Sequence, residues 1–227
     1  MNKPFAVAMA VATAALAAPA AAAAQSLAVD PVAPCYREQQ TVFLTAQGYT
    51  PNGLVGFSRD GNLISELQAD PSGSISGNLT LPGLLRGQRR LKYVGTDRTN
   101  PALSAEVGLL TTATDVTMRP RSGGAPNRRL TINGRGFFGG RTLWAHVLRR
   151  GARASSARNV RIGRVKGACK KVKAKKRLFR AGTAAGAYRV QFDTFRRYKA
   201  RRPIETEFIV TIFGTVRSAA ISSRSLN

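Results

Sequence analysis

The sequence is short of the residues from which most catalytic and metal sites are built. Its 227 residues include two cysteines, one histidine and one tryptophan. A Ser-His-Asp or Cys-His catalytic group would have to use His146, and no nucleophile motif such as G-x-S-x-G accompanies it. Two cysteines cannot form a structural zinc site alone. The sequence therefore predicts a protein that is not an enzyme, with no metal site and no cofactor.

Acidic residues are also scarce in the second half of the chain. Only Asp193, Glu205 and Glu207 follow residue 115, against 28 Lys and Arg, whereas residues 25–115 carry seven Lys and Arg and eight Asp and Glu. We interpret Glu205 and Glu207 as counter-charges rather than catalytic carboxylates. The formal net charge of +25 therefore belongs to the second half. Such a division indicates an anionic partner for that half.

Beyond the first 24 residues, no stretch is apolar and long enough to span a membrane, and none has a sustained helical period. The first 24 form an Ala- and Val-rich run after Lys3 that ends in three alanines, which is typical of a cleaved secretory signal peptide. A retained anchor is the alternative, but the alanine content and Pro19 favour cleavage. A lipoprotein anchor at Cys35 is less favoured because no lipobox precedes it. We expect a secreted or extracytoplasmic envelope protein.

Short alternating apolar runs separated by Gly, Pro, Asp and Asn fill the rest of the chain. Residues 41–47 are predicted to form a half-buried strand. In the strand that contains Tyr188, alternation predicts two faces: Tyr188, Val190 and Phe192 towards the core, and Arg189, Gln191 and Asp193 towards water. Residues 130–151 are predicted to form a β-hairpin that carries Trp144 and His146. Residues 42–61 repeat the layout of that stretch, and the echo predicts two copies of one β-domain. Trp144, His146 and Leu148 share a strand face, so we interpret His146 as a buried residue beside a core tryptophan.

The resemblance to a known family rests on a strand ending in Gly-aromatic, a following hairpin and a late aromatic strand. The residues concerned are Gly48-Tyr49, Gly136-Phe137, Asp60-Gly61, the turn at 69–73, Tyr93 and Tyr188. This pattern resembles the Ig-like repeats of secreted bacterial envelope proteins. The resemblance implies an all-β fold of two tandem immunoglobulin-like β-sandwich domains, without catalytic residues or a defined ligand. The predicted organisation is a signal peptide (1–24), domain 1 (25–114), a basic domain 2 (115–217) and a flexible tail (218–227).

Cys35 and Cys169 lie in different copies, so a disulfide between them would join the two domains. Secretion favours an oxidised pair. Free thiols and an intermolecular bond are the alternatives, since the bond requires the two Cα atoms to come within about 7 Å.

Four oxygen-bearing residues of the first copy fall near predicted turns, where they could serve as calcium ligands. They are Asp60, Asn62, Asp70 and Asp97. Hydrogen bonding within the turns explains such residues without a metal, and we favour that interpretation.

The strongest functional signal is a cluster of basic residues in the second copy. If residues 170–179 form a strand, Lys171, Lys173, Lys175 and Arg177 share its exposed face, with Lys176 on the inner side. A second basic group follows the aromatic strand that contains Tyr188. The predicted polyanion-binding residues are Lys170, Lys171, Lys173, Lys175, Lys176, Arg177, Arg196, Arg197, Lys199, Arg201 and Arg202.

Export makes an anionic cell-wall polymer or a membrane surface a better partner for these residues than nucleic acid, and no small-molecule substrate is evident. The affinity of such a surface should fall as the salt concentration rises. One alternative is a solvated face that protects an edge strand from aggregation. Another is a purely structural or protein-interaction module, and a degenerate enzyme is the least favoured.

Overall fold

The computed structural model describes residues 24–120, 125–200 and 206–213, and it gives no side chains for 206–207. Most of the predicted signal peptide, the predicted tail, Arg201, Arg202 and Glu205 lie outside the described residues. The described ranges form fifteen β-strands and one 3-10 turn. None of their helices is long and apolar enough to cross a membrane.

The N-terminal sandwich contains two sheets, ordered β1-β3-β6 and β2-β8-β7-β4-β5. A single cluster of buried side chains between residues 27 and 109 forms its core. Its strands are β1 (Ser26–Asp30), β2 (Tyr36–Arg37), β3 (Thr41–Gln47), β4 (Leu54–Arg59), β5 (Asn62–Gln68), β6 (Ile75–Thr80), β7 (Gln88–Asp97) and β8 (Ser104–Thr112).

The C-terminal sandwich also contains two sheets, ordered β9-β10-β13 and β12-β11-β14-β15. A second buried cluster, from residues 116 to 192, forms its core. Its strands are β9 (Asp115–Arg119), β10 (Leu130–Arg135), β11 (Thr142–Arg149), β12 (Arg158–Arg164), β13 (Val172–Lys176), β14 (Gly186–Asp193) and β15 (Thr206–Ile212), and the 3-10 turn Ala154–Ser156 lies between β11 and β12.

The two sandwiches share one strand order, and that order is the one found in immunoglobulin-like domains. The sheet β1-β3-β6 corresponds to β9-β10-β13, and β5-β4-β7-β8 corresponds to β12-β11-β14-β15. The N-terminal sandwich adds the two-residue β2, which pairs in parallel with β8. The predicted all-β fold of two tandem Ig-like sandwiches is therefore confirmed from the topology. The domain boundary between 114 and 115 stays a prediction.

The two stretches that the sequence presented as equivalent are not hairpins. β3 and β4 lie in different sheets, as do β10 and β11, so each stretch crosses from one layer of its sandwich to the other. The Gly-aromatic turn makes the crossing: Gly136 has a φ of 77°, and Phe137 beside it is only 1% exposed. A buried aromatic at the turn anchors the chain in the core between the two sheets. A two-residue hairpin turn would instead have placed the two flanking strands side by side in one sheet. The Asp60-Gly61 turn does form the predicted hairpin, between β4 and β5.

Strand β11 is rotated relative to the prediction. Its core-facing residues are Leu143, Ala145 and Val147, so Trp144 and His146 lie on the outer face of the sheet. The interpretation of His146 as buried is confirmed, since it is 0% exposed. Its placement beside a core tryptophan is wrong, because Trp144 is only partly buried and lies outside the core cluster.

Candidate polyanion-binding surface

Strand β13 presents a row of basic side chains on one face. Lys171, Lys173, Lys175 and Arg177 are exposed. Val172, between Lys171 and Lys173, and Leu178, after Arg177, are buried in the core. The regular strand is shorter than predicted because residues 167–170 form a turn, in which Lys170 has a φ of 47°. The alternation continues through both ends of the strand, so four cations emerge on the same side at intervals of about 7 Å along the backbone.

The rest of this sheet face is polar. Lys175 lies beside Thr131 of the central strand β10, and Lys173 lies beside Asn133. On β9, the strand at the other edge of this sheet, Arg119 lies beside Thr131. β13 is an edge strand, so the row of lysines also fits the protection of an unpaired edge. We name the exposed side chains Lys171, Lys173, Lys175 and Arg177 the β13 face.

Surface carboxylates that can pair with basic side chains are more numerous in the N-terminal sandwich than in the described part of the C-terminal one. In the N-terminal sandwich, Asp60, Glu66 and Glu106 form ion pairs with arginine or lysine. Among the described side chains after residue 115, the only carboxylate is that of Asp193, which is 2% exposed. Asp115, at the start of β9, is paired with Arg135. No described carboxylate of the C-terminal sandwich therefore forms an ion pair with the β13 face, whose field adds to that of the other arginines.

The second predicted basic group lies on the other layer of the sandwich. Arg196, Arg197 and Lys199 belong to the segment 194–200, which follows β14. This segment is fastened to the outer face of the β12-β11-β14-β15 sheet, where Gln191 Nε2 donates to the Lys199 carbonyl at 3.2 Å. The structure therefore separates this group from the β13 face rather than joining the two, and Arg201 and Arg202 lie outside the described residues.

The same segment corrects a prediction for β14. Tyr188, Val190 and Phe192 face the core as the alternation predicts. The opposite face does not meet water throughout, because Gln191 and Asp193 are 1% and 2% exposed. The segment 194–200 covers them, and the Phe195 N–H donates to Asp193 Oδ1 at 2.7 Å.

His146 lies beneath this cover and holds a buried ion pair. Its Nε2 lies 3.0 Å from Asp193 Oδ1 and its Nδ1 lies 2.6 Å from Asn159 Oδ1, so both ring nitrogens have an acceptor when the ring is protonated. Burial lowers the pKa of His146, but the hydrogen bonds to Asp193 and Asn159 outweigh it and leave that pKa raised. Burial likewise raises the pKa of Asp193, but the hydrogen bonds from His146, the Phe195 N–H and Gln191 together outweigh it and leave that pKa lowered. A cation held in this way can fasten a segment, and it has no free nitrogen to act as a base.

The predicted disulfide between the two sandwiches is confirmed. Cys35 and Cys169 are bonded, with Cα atoms 5.3 Å apart. Cys35 lies just before β2, and Cys169 lies in the turn that leads into β13. The bond therefore ties the start of one sandwich to the base of the basic strand in the other.

A hydrogen-bonded joint, which the sequence did not reveal, reinforces the disulfide. Asp115 accepts a bond from the Gly87 N–H at 2.7 Å and from Arg135 Nε at 3.1 Å, so one carboxylate holds both sandwiches. Gly136 completes the joint, since a Cβ there would lie 2.4 Å from the Ala113 carbonyl oxygen. Asp115 lies at the predicted domain boundary, and this position is the one feature of the sequence that could have identified Asp115 as part of the joint.

Two acidic residues at turns of the N-terminal sandwich accept hydrogen bonds from backbone N–H groups. Asp70 Oδ1 accepts from the backbone N–H groups of Ser72 and Ser74, and Asp60 Oδ1 accepts from the Lys92 N–H. No group of three or more His, Cys, Asp or Glu side chains within the described residues could hold a metal ion. These hydrogen bonds favour the turn interpretation of the acids over the calcium one.

Comparisons with known proteins do not identify a family for this chain. No family model matches it, and no curated protein does. Solved structures with a related arrangement include the human OSCAR ligand-binding domain, at 14% identity over 83% of this chain and 97% of that one, with a TM-score of 0.32. A Corynebacterium diphtheriae protein described as membrane anchored reaches 12% identity over 83% and 57%, with a TM-score of 0.34. A tetra-tandem repeat from the extending region of a large adhesion protein reaches 15% over 83% and 49%, with a TM-score of 0.29. These scores are too low to add to the fold derived from strand order.

Proposed function

We propose that the protein is a non-enzymatic secreted or envelope-associated protein whose C-terminal sandwich binds anionic surface polymers through the β13 face. The observation that carries the proposal is the row formed by Lys171, Lys173, Lys175 and Arg177, none of which forms an ion pair with a described carboxylate. An extended polyanion can lie along a strand and meet these cations in succession. Release of its counterions would then drive binding and make it dependent on salt.

The choice of a surface polymer follows from the expected compartment. Residues 1–24 have the composition of a secretory signal peptide, and the disulfide between Cys35 and Cys169 belongs to an oxidising environment. Outside the cytoplasm, wall polymers and lipid headgroups are the abundant polyanions. The flat, polar β13 face suits a chain-like ligand, because it has no apolar side chain to insert into a bilayer.

Retention of the protein on isolated cell envelopes tests the proposal. Glutamine is placed at the four residues of the β13 face and at Lys176, which removes five charges. The matched control also removes five charges, from exposed arginines elsewhere on the sandwich: Arg141, Arg150, Arg153, Arg161 and Arg164. We expect the first variant to lose most of its retention and the control to keep most of it. Equal retention of the two variants would show that the β13 face has no special role.

A second candidate function is that of a rigid two-domain spacer. The specific observation in its favour is the joint, in which the disulfide and Asp115 hold the two sandwiches together. A spacer needs a fixed angle between its domains and no polymer ligand. Absence of envelope binding by the wild-type chain at physiological salt would favour this function over the first.

A further inference from the structure

A cavity at one end of the C-terminal sandwich gathers three arginines away from the β13 face. Its volume is about 590 Å³, and the arginines that line it are Arg149, Arg158 and Arg180. Arg149 ends β11, Arg158 begins β12, and Arg180 follows β13. Three different parts of the fold therefore bring guanidinium groups to one cavity.

The charge of these groups is not balanced within the cavity. Among the residues that the structure describes, no acidic side chain lines it. Burial lowers the pKa of Arg158, and the nearby positive charge of Arg180 lowers it further. Two guanidinium groups close enough to repel each other are a cost to the fold unless an anion joins them.

One nitrogen of Arg158 lacks a partner. Its Nη1 is buried and forms no hydrogen bond, and a buried donor left without an acceptor is rare in folded proteins because it costs about 1–3 kcal/mol. The hydroxyl groups of the cavity are already engaged. Thr183 Oγ1 donates to the Arg180 carbonyl, and Tyr188 Oη donates to the Ala184 carbonyl. The unused donors therefore belong to the guanidinium groups.

The floor of the cavity is apolar. Phe179 and Tyr188 pack edge to face with ring centroids 5.4 Å apart, and Val147 and Leu178 lie beside them. An apolar floor lowers the local dielectric and strengthens a charge-assisted hydrogen bond above it. Arginine pairs with planar or tetrahedral oxyanions through two parallel N–H groups.

We infer that this cavity is a binding site for a single oxyanionic group, a phosphate or a carboxylate, held by Arg158 and Arg180. The oxyanion accepts from the unpartnered Nη1 of Arg158 and neutralises the repulsion between the two arginines. Arg149 supplies a third positive charge at the rim, where its Nη2 makes only a long bond of 3.4 Å to the Ala185 carbonyl. The site does not rest on the proposed function, because it binds one small anion whether or not a polymer lies on the β13 face.

Calorimetric titration of the full chain with inorganic phosphate, and separately with acetate, tests the site in a chloride buffer of constant ionic strength. We expect saturable binding of one anion per chain, and we expect R158Q and R180Q each to weaken it about tenfold or more. The matched control is R161Q, which removes an exposed arginine from the same strand as Arg158. It should leave the affinity unchanged. Because Arg180 is exposed, R180Q keeps the test available if R158Q fails to fold.

Phosphate binding without acetate binding would assign a phosphate group, and the reverse would assign a carboxylate. Absence of binding for both anions would overturn the site, as would equal weakening by R158Q and R161Q, which would show general attraction to a basic protein. Neutralising Lys173 and Lys175 should not change the titration. If this variant binds the anion with unchanged affinity but is no longer retained on cell envelopes, the anion site is independent of the proposed function.

Discussion

Replacing Cys35 and Cys169 together by alanine should destabilise both sandwiches, although each keeps its own core. If the N-terminal sandwich unfolds alone, the disulfide ties about 80 residues, from Cys35 to Asp115, to a folded partner at both ends. If the C-terminal sandwich unfolds alone, the tied segment from Asp115 to Cys169 is about 54 residues. For a loop of either length, the loss of chain entropy in the unfolded state lets the disulfide contribute about 4 kcal/mol to the free energy of unfolding.

Alanine is the suitable replacement because both sulfur sites are buried, with 4% exposure each, and serine would add an unpaired hydroxyl. For a domain of this size, 1 kcal/mol corresponds to about 4–8 °C in melting temperature. We therefore expect the first thermal transition of the C35A,C169A variant to fall by about 15 °C or more, as followed by circular dichroism.

Reductant provides the control for this prediction. It should lower the melting temperature of the wild-type chain to that of the variant and leave the variant unchanged. A variant that melts within about 2 °C of the oxidised wild type would refute the reasoning, because the bond would then place no useful constraint on either unfolded sandwich.

Three further changes test other interactions. H146Q leaves the Asp193 carboxylate buried without its cation and should cost about 3–5 kcal/mol. Because the pKa of His146 is raised, this stabilisation is full below pH 6.5 and declines as the pH rises through the folded-state pKa. Urea titrations in which the free energy of unfolding of the wild type exceeds that of H146Q by the same amount at every pH would contradict this. D97A removes a buried carboxylate. Burial raises the pKa of Asp97, but hydrogen bonds from the N–H groups of Thr50, Thr99 and Asn100 lower it to about 2. The cost of about 2 kcal/mol should be present above pH 3.8 and vanish as the pH falls through about 2, and an acid unfolding curve unchanged by D97A would oppose this. D115N weakens the joint and should cost about 1 kcal/mol in urea, less than loss of the disulfide, and a larger loss would mean that the joint is held mainly by Asp115.

Local alternation was sufficient to predict most strands of the fold. Strand β3 (Thr41–Gln47) occurs at its predicted residues, and the inward row of β14 occurs as predicted. Alternation specifies which residues share a face, but it does not specify which strand lies alongside. The alternation at 42–61 and 130–151 therefore predicted hairpins, although in the structure each stretch links two sheets.

The covering of an outer sheet face was also beyond prediction. Gln191 and Asp193 have the spacing of solvent-facing residues, and only the return of the segment 194–200 over the sheet buries them. The direction in which a segment turns after the end of a strand leaves no pattern within the strand itself, and the contacts of Asp115 at the joint leave none either. In contrast, the basic row of β13 was predictable because its residues are adjacent and alternate.

The salt dependence of binding to a purified poly(glycerol phosphate) chain tests most directly whether the β13 face is a polyanion site. For a flexible polyanion, each contacted charge contributes roughly 0.7 to the slope of log affinity against log salt concentration. Neutralising Lys171, Lys173, Lys175, Lys176 and Arg177 should therefore flatten the slope by about 3.5, while the five-arginine control variant changes it by less than about 1. Equal slopes for the two variants would contradict the assignment of binding to β13.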